Sequence, residues 1–570
     1  MKRRDFIKRI AAVAASPAIS PAVGARSTAS PPRPSSTFEE GAFPYDIDFF
    51  EAAERFAFLN ENEAVLNIIP KEGKSLDIRF YRPPGELSIS GGSSSASFTA
   101  VDDSLDIPLS IVGSAPEFTY KLEYRETGSG AWRSTPERRV KTPSSFMRTG
   151  RLEAIFISDD HTYDDADQET RIVRDPYWRE RRLNGEYVND FLRSLRSDPI
   201  YYPPPESDLR KMMNGFTLAS TIDTVLRRER PDFIILGGDA TGIGSGYKWA
   251  GLGLKDPAFG LSEQEYDDYA RLFWLRMRRM LSGLTPEIPV YLCQGNHDGE
   301  SGYDTARVFA RKYRKKYFKQ PGVQHGSSAA ENYFQLIWGP RLYGNGFPQF
   351  LILDNESYNA TAPVTPEDWT IGSVQKAWLQ TALGYETDWK FAFFHHVLGG
   401  WPRGSNETAM TSSYGRGPLY IASDYADYVN DPQRVEQVAL TRIMRAGGVN
   451  AAFFGHDHIF HVRDIPSESG GAGRKMYGIR MGSPKWFGED YWYKGALWQK
   501  HYGSYGFYQA DGEPFSPVTD FWGPAGYTKL SIDGNGARVD YIRSGDSHPW
   551  TNIPPEIGVG DTVASVLLGF

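Results

Sequence analysis

Cysteine is almost absent: one residue, Cys293, in a chain of 570. That excludes an internal disulfide framework and any cysteine-rich zinc site. Positive charge is also in deficit. The 63 Lys and Arg stand against 71 Asp and Glu, a net −8, so bulk charge makes no case for nucleic-acid binding. Past the N-terminal region no apolar run is long enough to cross a bilayer, so no transmembrane anchor is expected in the mature chain. Histidine is sparse, ten in all. The remainder is ordinary for a soluble globular protein, with 40% hydrophobic and 24% charged residues. The length allows a large core and more than one domain. Aromatics at 14% favour strands and aromatic packing.

The first 25 residues stand apart. Lys2, Arg3, Arg4, Lys8 and Arg9 precede a weakly apolar stretch rich in Ala, Ser and Pro, and small residues around Ala25 suit cleavage. Arg3-Arg4 followed by Asp5, Phe6, Ile7 and Lys8 resembles a bacterial twin-arginine signal. That resemblance implies dealings with an export machinery and a mature protein in the periplasm or outside the cell. Residues 26–42 are rich in Pro and Ser and read as a linker. In residues 43–149 "FFEAAERFAFL" reads as a short helix. Short alternating segments follow, "AVLNIIP", "SLDIRFYR", "LDIPLSIVG" and "FTYKLEYRE", separated by Gly/Ser turns. This pattern predicts a small, fibronectin-like β-sandwich. It holds no cluster of acids, bases or histidines, and a packing or spacer role is expected.

Chemistry begins after residue 150, in a domain expected to run to 570. Five times a short apolar run ends in residues able to bind a metal. "LEAIFIS" leads to Asp159, Asp160 and His161; "PDFIILGG" to Asp239; "PVYLCQG" to Asn296, His297 and Asp298. "WKFAFF" leads to His395 and His396, and "NAAFFG" to His456, Asp457 and His458. Such runs read as buried strands. Open α/β sheets place their sites beyond the carboxyl ends of their strands, so five ends can converge on one crevice. Six of the ten histidines lie in these five places.

The donors are oxygens and imidazoles, which suit Mn, Fe, Zn or similar divalent ions rather than a thiolate-selected metal. Two such ions need a shared anionic ligand. Asp239, a lone carboxylate after two glycines, suits that bridge. Asp159 and His161 share one strand face and can bind one ion. Asp160 could replace Asp159, but alternation with His161 favours Asp159. Asn296 and His395 can complete the other ion. His456 and His458, on one face of an extended segment, can reach one ion each.

The series DDH, GGD, GNHD, HH and GHDH resembles, in order and spacing, the calcineurin-like metallophosphoesterases, over residues 151–543. The resemblance implies two mixed β-sheets packed face to face and flanked by helices. It implies a two-metal enzyme cleaving phosphate mono- or diesters of small molecules with a hydroxide held between the ions. Asp159, His161, Asp239 and His458 would hold one ion; Asp239, Asn296, His395 and His456 would hold the other. His297 would meet the phosphoryl oxygen or leaving group, with Asp298 orienting it. Gly242 stands where purple acid phosphatases, one branch of the family, keep a tyrosine, which argues against an iron-tyrosinate centre.

Other residues have plainer readings. Asp160 is expected to be a solvated loop acid, His396 to face away in a strand and to support a neighbouring ligand or pack, and Cys293 to be a small buried hydrophobe. Three insertions break the core, at residues 162–213, 242–259 and 485–522. The last holds 13 aromatics in 38 residues. It is expected either to stack on an organic leaving group or to cover sheet edges. "QKAWLQTAL" and "RVEQVALTRIMRA" have helical spacing, and "GYTKLSIDGNGARVDYIRS" reads as a hairpin. The alternative function is a non-catalytic phosphate- or glycan-binding protein that keeps the fold.

Overall fold

The five apolar runs are five strands: Leu152–Ile157, Phe233–Leu236, Val290–Leu292, Lys390–Phe394 and Ala451–Phe454. They were located in a computed structural model. It describes residues 45–160, 218–244, 261–321, 332–339, 346–357, 370–396, 435–456, 460–465, 476–484, 526–544 and 560–568, apart from short loops and single positions within those spans. The export signal and the three insertions, apart from residues 242–244, fall outside the described residues.

Two six-stranded sheets carry the five strands. In the first the order is Val290–Leu292, Phe233–Leu236, Leu152–Ile157, Gly526–Asp533, Gly536–Arg543 and Thr562–Leu568. Its first three strands are parallel and the rest are antiparallel. In the second the order is Phe334–Ile337, Gln349–Ile352, Lys390–Phe394, Ala451–Phe454, Met476–Met481 and Phe460–Ile465. Its four central strands are parallel. Parallel strands share one direction, so each sheet collects its carboxyl-terminal turns along one edge.

Alternation divides the side chains between the faces. Phe156, Phe233, Ile235 and Tyr291 of the first sheet join Phe391, Phe393 and Phe453 of the second in one buried cluster. The Phe156 ring lies 4.8 Å from those of both Phe393 and Phe453. The intervening residues turn the other way. Ile155, Ile157, Ile234 and Leu236 pack with residues of the helices Glu263–Met280 and Arg307–Tyr317. Ala392, Phe394, Ala452 and Phe454 pack with residues of Gly372–Ala382 and Val435–Ala446, the two helices expected from spacing. The 526–543 hairpin forms as expected, with Asp533 paired to Gly536 across the turn.

Residues 50–141 form two further sheets, of four and five strands. All four alternating segments are strands. The segment read as a helix is instead the strand Phe50–Phe58, buried along its whole length and paired with Glu63–Pro70. Its Ala and Glu content favours a helix, but tertiary pairing overrides that weak preference. Its charged residues find fixed partners: Glu54 binds Arg138 at 2.9 Å, Glu51 binds Arg279, and Arg55 donates to the Val290 carbonyl at 2.5 Å. The buried cluster that holds Phe156 also holds Phe56, Phe58, Tyr120 and Val140. No helix among the described residues is long and apolar enough to cross a membrane.

Candidate metal centre

The strands deliver their site residues through strained turns. Among the described residues three non-glycine positions have positive φ: Asp159 (56°), Asp239 (57°) and His456 (68°). Each lies just past a core strand. The left-handed region costs a non-glycine residue on the order of 1 kcal/mol, so the surroundings must hold all three. For Asp159 the restraints are visible. Its N–H donates to the Gly238 carbonyl at 3.0 Å, and its own carbonyl accepts from Ser483 Oγ at 2.7 Å. Its carboxylate accepts the His456 N–H, 2.8 Å from each oxygen, and Ser158 Oγ at 2.5 Å.

Asp239 is placed by two glycines and a carboxylate. Gly238 has φ 100°, and a side chain there would strike the His395 ring at 2.4 Å. A Cβ on Gly295 would sit 2.1 Å from Asp239 N. Asp298 clamps the two turns together, accepting from Asp239 N (3.1 Å), Thr241 N (2.8 Å), Thr241 Oγ1 (3.2 Å) and Gly295 N (2.8 Å). The Asp298 carboxylate thus bonds the turn that carries His297, and the His297 ring is not among those partners. Asp239 Oδ1 accepts the His297 N–H at 2.8 Å.

Four donor atoms then meet. Asn296 Oδ1 lies 3.1 Å from His395 Nε2 and 3.0 Å from His456 Nδ1, and Asp239 Oδ2 lies 3.2 Å from the same Nε2. His395 Nδ1 faces the Gly237 carbonyl at 2.8 Å. A carbonyl can only accept, so Nδ1 carries the proton, and it is Nε2 that would offer a lone pair to an ion displacing any proton there. Electron-rich atoms crowd one point. Separations near 3 Å are those between neighbouring ligands of a divalent ion with bonds of about 2.1 Å. The residues fit such an ion.

Charge supports this. Asp159, Asp160, Asp239, Asp298 and Glu356 are each at most 1% exposed. Burial pushes Asp159 up to about 7, with Asp239 adding to the rise and His395 opposing it. Burial, then Asp239, also takes Asp298 to about 7. Burial alone would discharge His395, but Asp239, Asp159 and Glu356 outweigh it and hold the pKa well up. A pocket so rich in carboxylates calls for a cation.

The other predicted residues are placed as follows. His161 and His458 lie outside the described residues, so the second ligand set is represented by Asp159 and Asp239. His297 is half-buried, its Nε2 3.9 Å from Asp239 Oδ2. Asp160 is not a solvated acid. It is buried beside Asp298, its pKa well up through burial, and its Oδ2 has no hydrogen-bond partner among the described residues. His396 does not face away, because the strand ends at Phe394 and alternation ends with it. Its ring is 4.3 Å from that of His456, and its Nδ1 is bonded to Glu356. Burial first, then His456 and His395, push its pKa well down. Cys293 is buried and its thiol pKa is pushed well up by burial.

Residues 206–460 match the calcineurin-like phosphoesterase family. The match spans less than half of the 570 residues. It takes in Asp239, Asn296, His297, His395, His456 and His458 and begins after Asp159 and His161. No curated protein matches the chain. Among solved structures, GAP50, the anchor in the inner membrane complex of Plasmodium, aligns over 73% of this chain and 88% of its own at 11% identity, with a TM-score of 0.31. A conjugative transposon lipoprotein from Bacteroides eggerthii aligns over 15% of this chain and 90% of its own, at 9% identity and a TM-score of 0.11. Likenesses this low carry no argument about fold or function.

Glu356 and Ser483 were not anticipated from the phosphoesterase-like motifs. The signal for both was present. "FLILDNE" is also an apolar run ending in polar residues, and both Glu356 and Ser483 come just past two further parallel strands, Gln349–Ile352 and Met476–Met481.

Proposed function

We propose that this protein is an exported phosphohydrolase that cleaves small-molecule phosphate mono- or diesters with two divalent ions. The convergence of Asp239 Oδ2, Asn296 Oδ1, His395 Nε2 and His456 Nδ1 carries this reading. These four residues would hold one ion. Asp159 and Asp239, with His161 and His458, would hold the other. The chemistry supplied by such a pair is polarisation of the phosphoryl oxygens and a water acidic enough to act as nucleophile near neutral pH. Asp239 fixes the spacing of the two sites. His297, on the half-exposed side, would donate a proton to the leaving oxygen. Asp298 would position that imidazole through the turn. On the same reading the two six-stranded sheets pack face to face, and the first nine strands form a β-sandwich. Arg3-Arg4 would direct the chain out of the cytoplasm, to the periplasm or beyond, through the export machinery.

The test is purified, metal-analysed protein assayed on aryl mono- and diesters. Close to two ions per chain are expected, with hydrolysis lost on chelation and regained with Mn²⁺. Full activity in thoroughly stripped protein would overturn the proposal. Export is tested separately: changing Arg3 and Arg4 to lysine should retain the protein in the cytoplasm, and normal secretion of that variant would refute the signal.

A further inference from the structure

Three imidazole rings cluster beside the four donor atoms. His395 meets His396 and His456 edge-on, at 5.2 Å and 5.3 Å between centroids. His396 leans on His456 at 4.3 Å with 38° between planes. His395 has its own backbone anchor in the Gly237 carbonyl. His396 has a side-chain anchor: its Nδ1 is bonded to Glu356 Oε1, and both residues are 0% exposed.

Glu356 is itself fixed from two directions. Its N–H donates to Asp354 Oδ1 at 2.8 Å. The Asp354 backbone is clasped by buried Gln375 of the 372–382 helix, with Asp354 N to Oε1 at 2.8 Å and Nε2 to the Asp354 carbonyl at 2.7 Å. On the other side the Glu356 carbonyl accepts Gly302 N–H at 3.3 Å, and Ser301 Oγ donates to its carboxylate at 3.5 Å. Ser301 and Gly302 belong to the turn that begins at Asn296 and His297.

We propose that Glu356 and His396 are a positioning pair that fixes the His456 ring for its ion and couples it to the turn bearing Asn296 and His297. This rests on the metal-site reading above. The Glu356–His396 bond locks the His396 ring against flipping. The locked ring restricts the rotation of His456, whose Nδ1 must aim at the point shared with Asn296 Oδ1. A ligand already aimed loses less rotamer freedom when the ion binds. Outer-shell partners of metal ligands typically change metal affinity 10–100-fold.

The experiment titrates metal-stripped full-length protein with Mn²⁺ by calorimetry and electron paramagnetic resonance. It compares wild type with Glu356→Gln, Glu356→Ala and His396→Phe, and thermal melts establish that each is folded. Glu356→Gln can still accept from the His396 ring and should stay within about threefold of wild type at both sites. Glu356→Ala should weaken one of the two ions about 10–100-fold and leave the other within about threefold. His396→Phe keeps ring volume but loses the bond, so it should show the same one-site loss even if Glu356→Ala does not fold. Combining the last two changes should cost no more than either alone, since they break one link. Unchanged affinity in folded His396→Phe, or equal weakening of both sites, overturns the proposal. Wild type that binds no Mn²⁺ overturns it together with the metal-site reading. Wild type that binds two ions and shows the one-site loss, yet hydrolyses no ester, upholds the pair and sinks only the enzymatic reading.

Discussion

Asn296 and His297 are neighbours in sequence with separate tasks. Asn296 puts its Oδ1 among the donor atoms, 3.1 Å from His395 Nε2. His297 is tied by its backbone, with N–H to Asp239 Oδ1 at 2.8 Å and carbonyl to Gly244 N at 3.0 Å, while its ring stays half-exposed. Substitutions should therefore fail differently. Asn296→Ala should lower bound metal. His297→Ala should keep both ions and slow turnover roughly 10²–10⁴-fold, the usual range for a lost positioned acid. The loss should be larger for alkyl phosphates than for nitrophenyl phosphates, whose leaving oxygen needs little protonation. Elemental analysis beside kcat on both substrates decides this, and metal loss in His297→Ala would make it a ligand instead.

Asp304, in the same turn, gives a pH test away from the donor atoms. Burial pushes its pKa up to about 7, against bonds from Ser301 that lower it. Its unfolded value is about 3.9. The sign follows from the rise. The neutral form's advantage is full below about pH 4 and is lost as pH climbs through about 7. Asp304→Asn removes this titration. It should raise the melting temperature at pH 8 and leave it nearly unchanged at pH 4. An equal shift at both pH values would mean the charge is not the cause.

At the scale of elements the glycines let neighbouring turns approach closely. A Cβ on Gly295 would lie 2.1 Å from Asp239 N and 2.3 Å from its Oδ1, one a backbone atom and the other part of a candidate ligand. Neither can swing aside as the end of a long side chain would. Gly295→Ala should cut metal occupancy at least tenfold, whereas Gly534→Ala, with nothing within 4 Å, should not. Metal content of the two purified variants checks this, and equal occupancy would refute the packing argument.

These turns also mark where sequence reading stops. An apolar run announces a strand, and a polar residue after it announces a place for chemistry, so the five strands and their trailing motifs were legible. The positive φ at Asp159, Asp239 and His456 was not, because Asp and His enter the left-handed region more often than most residues but still in only a small fraction of positions. Alternation misdirected His396 because the strand stops at Phe394. The strand Phe50–Phe58 was misread for a related reason. Its helix-favouring Ala and Glu are local, whereas Arg138 and Arg279, which neutralise its glutamates, come from distant segments.

At the scale of the whole molecule, those long-range pairs bear on whether the N-terminal strands are a detachable module. Arg55 is buried and donates to the Val290 carbonyl at 2.5 Å and the Lys319 carbonyl at 2.7 Å. Buried Arg278 donates to the Ala53 carbonyl at 3.0 Å and the Asn67 carbonyl at 3.3 Å. Tyr120 donates to the Pro286 carbonyl at 2.7 Å, and the Phe58 ring meets Trp338 at 5.7 Å. Deleting residues 26–148 would uncover the Tyr291 and Trp338 side of the core and leave Arg278 and Arg279 without their partners. Arg279 loses its carboxylate partner Glu51 and Arg278 its carbonyl partners, and a whole domain is stable by only about 5–15 kcal/mol. The newly exposed apolar surface, with the hydrogen bonds lost along that seam, weighs against this narrow margin. The truncated chain should therefore be aggregated or lack a cooperative melting transition, and should bind no Mn²⁺. Circular dichroism melts and Mn²⁺ titration of the truncated protein test this. A soluble remainder that melts cooperatively and binds two ions would show that the N-terminal strands are an appended module rather than part of the core that holds the site.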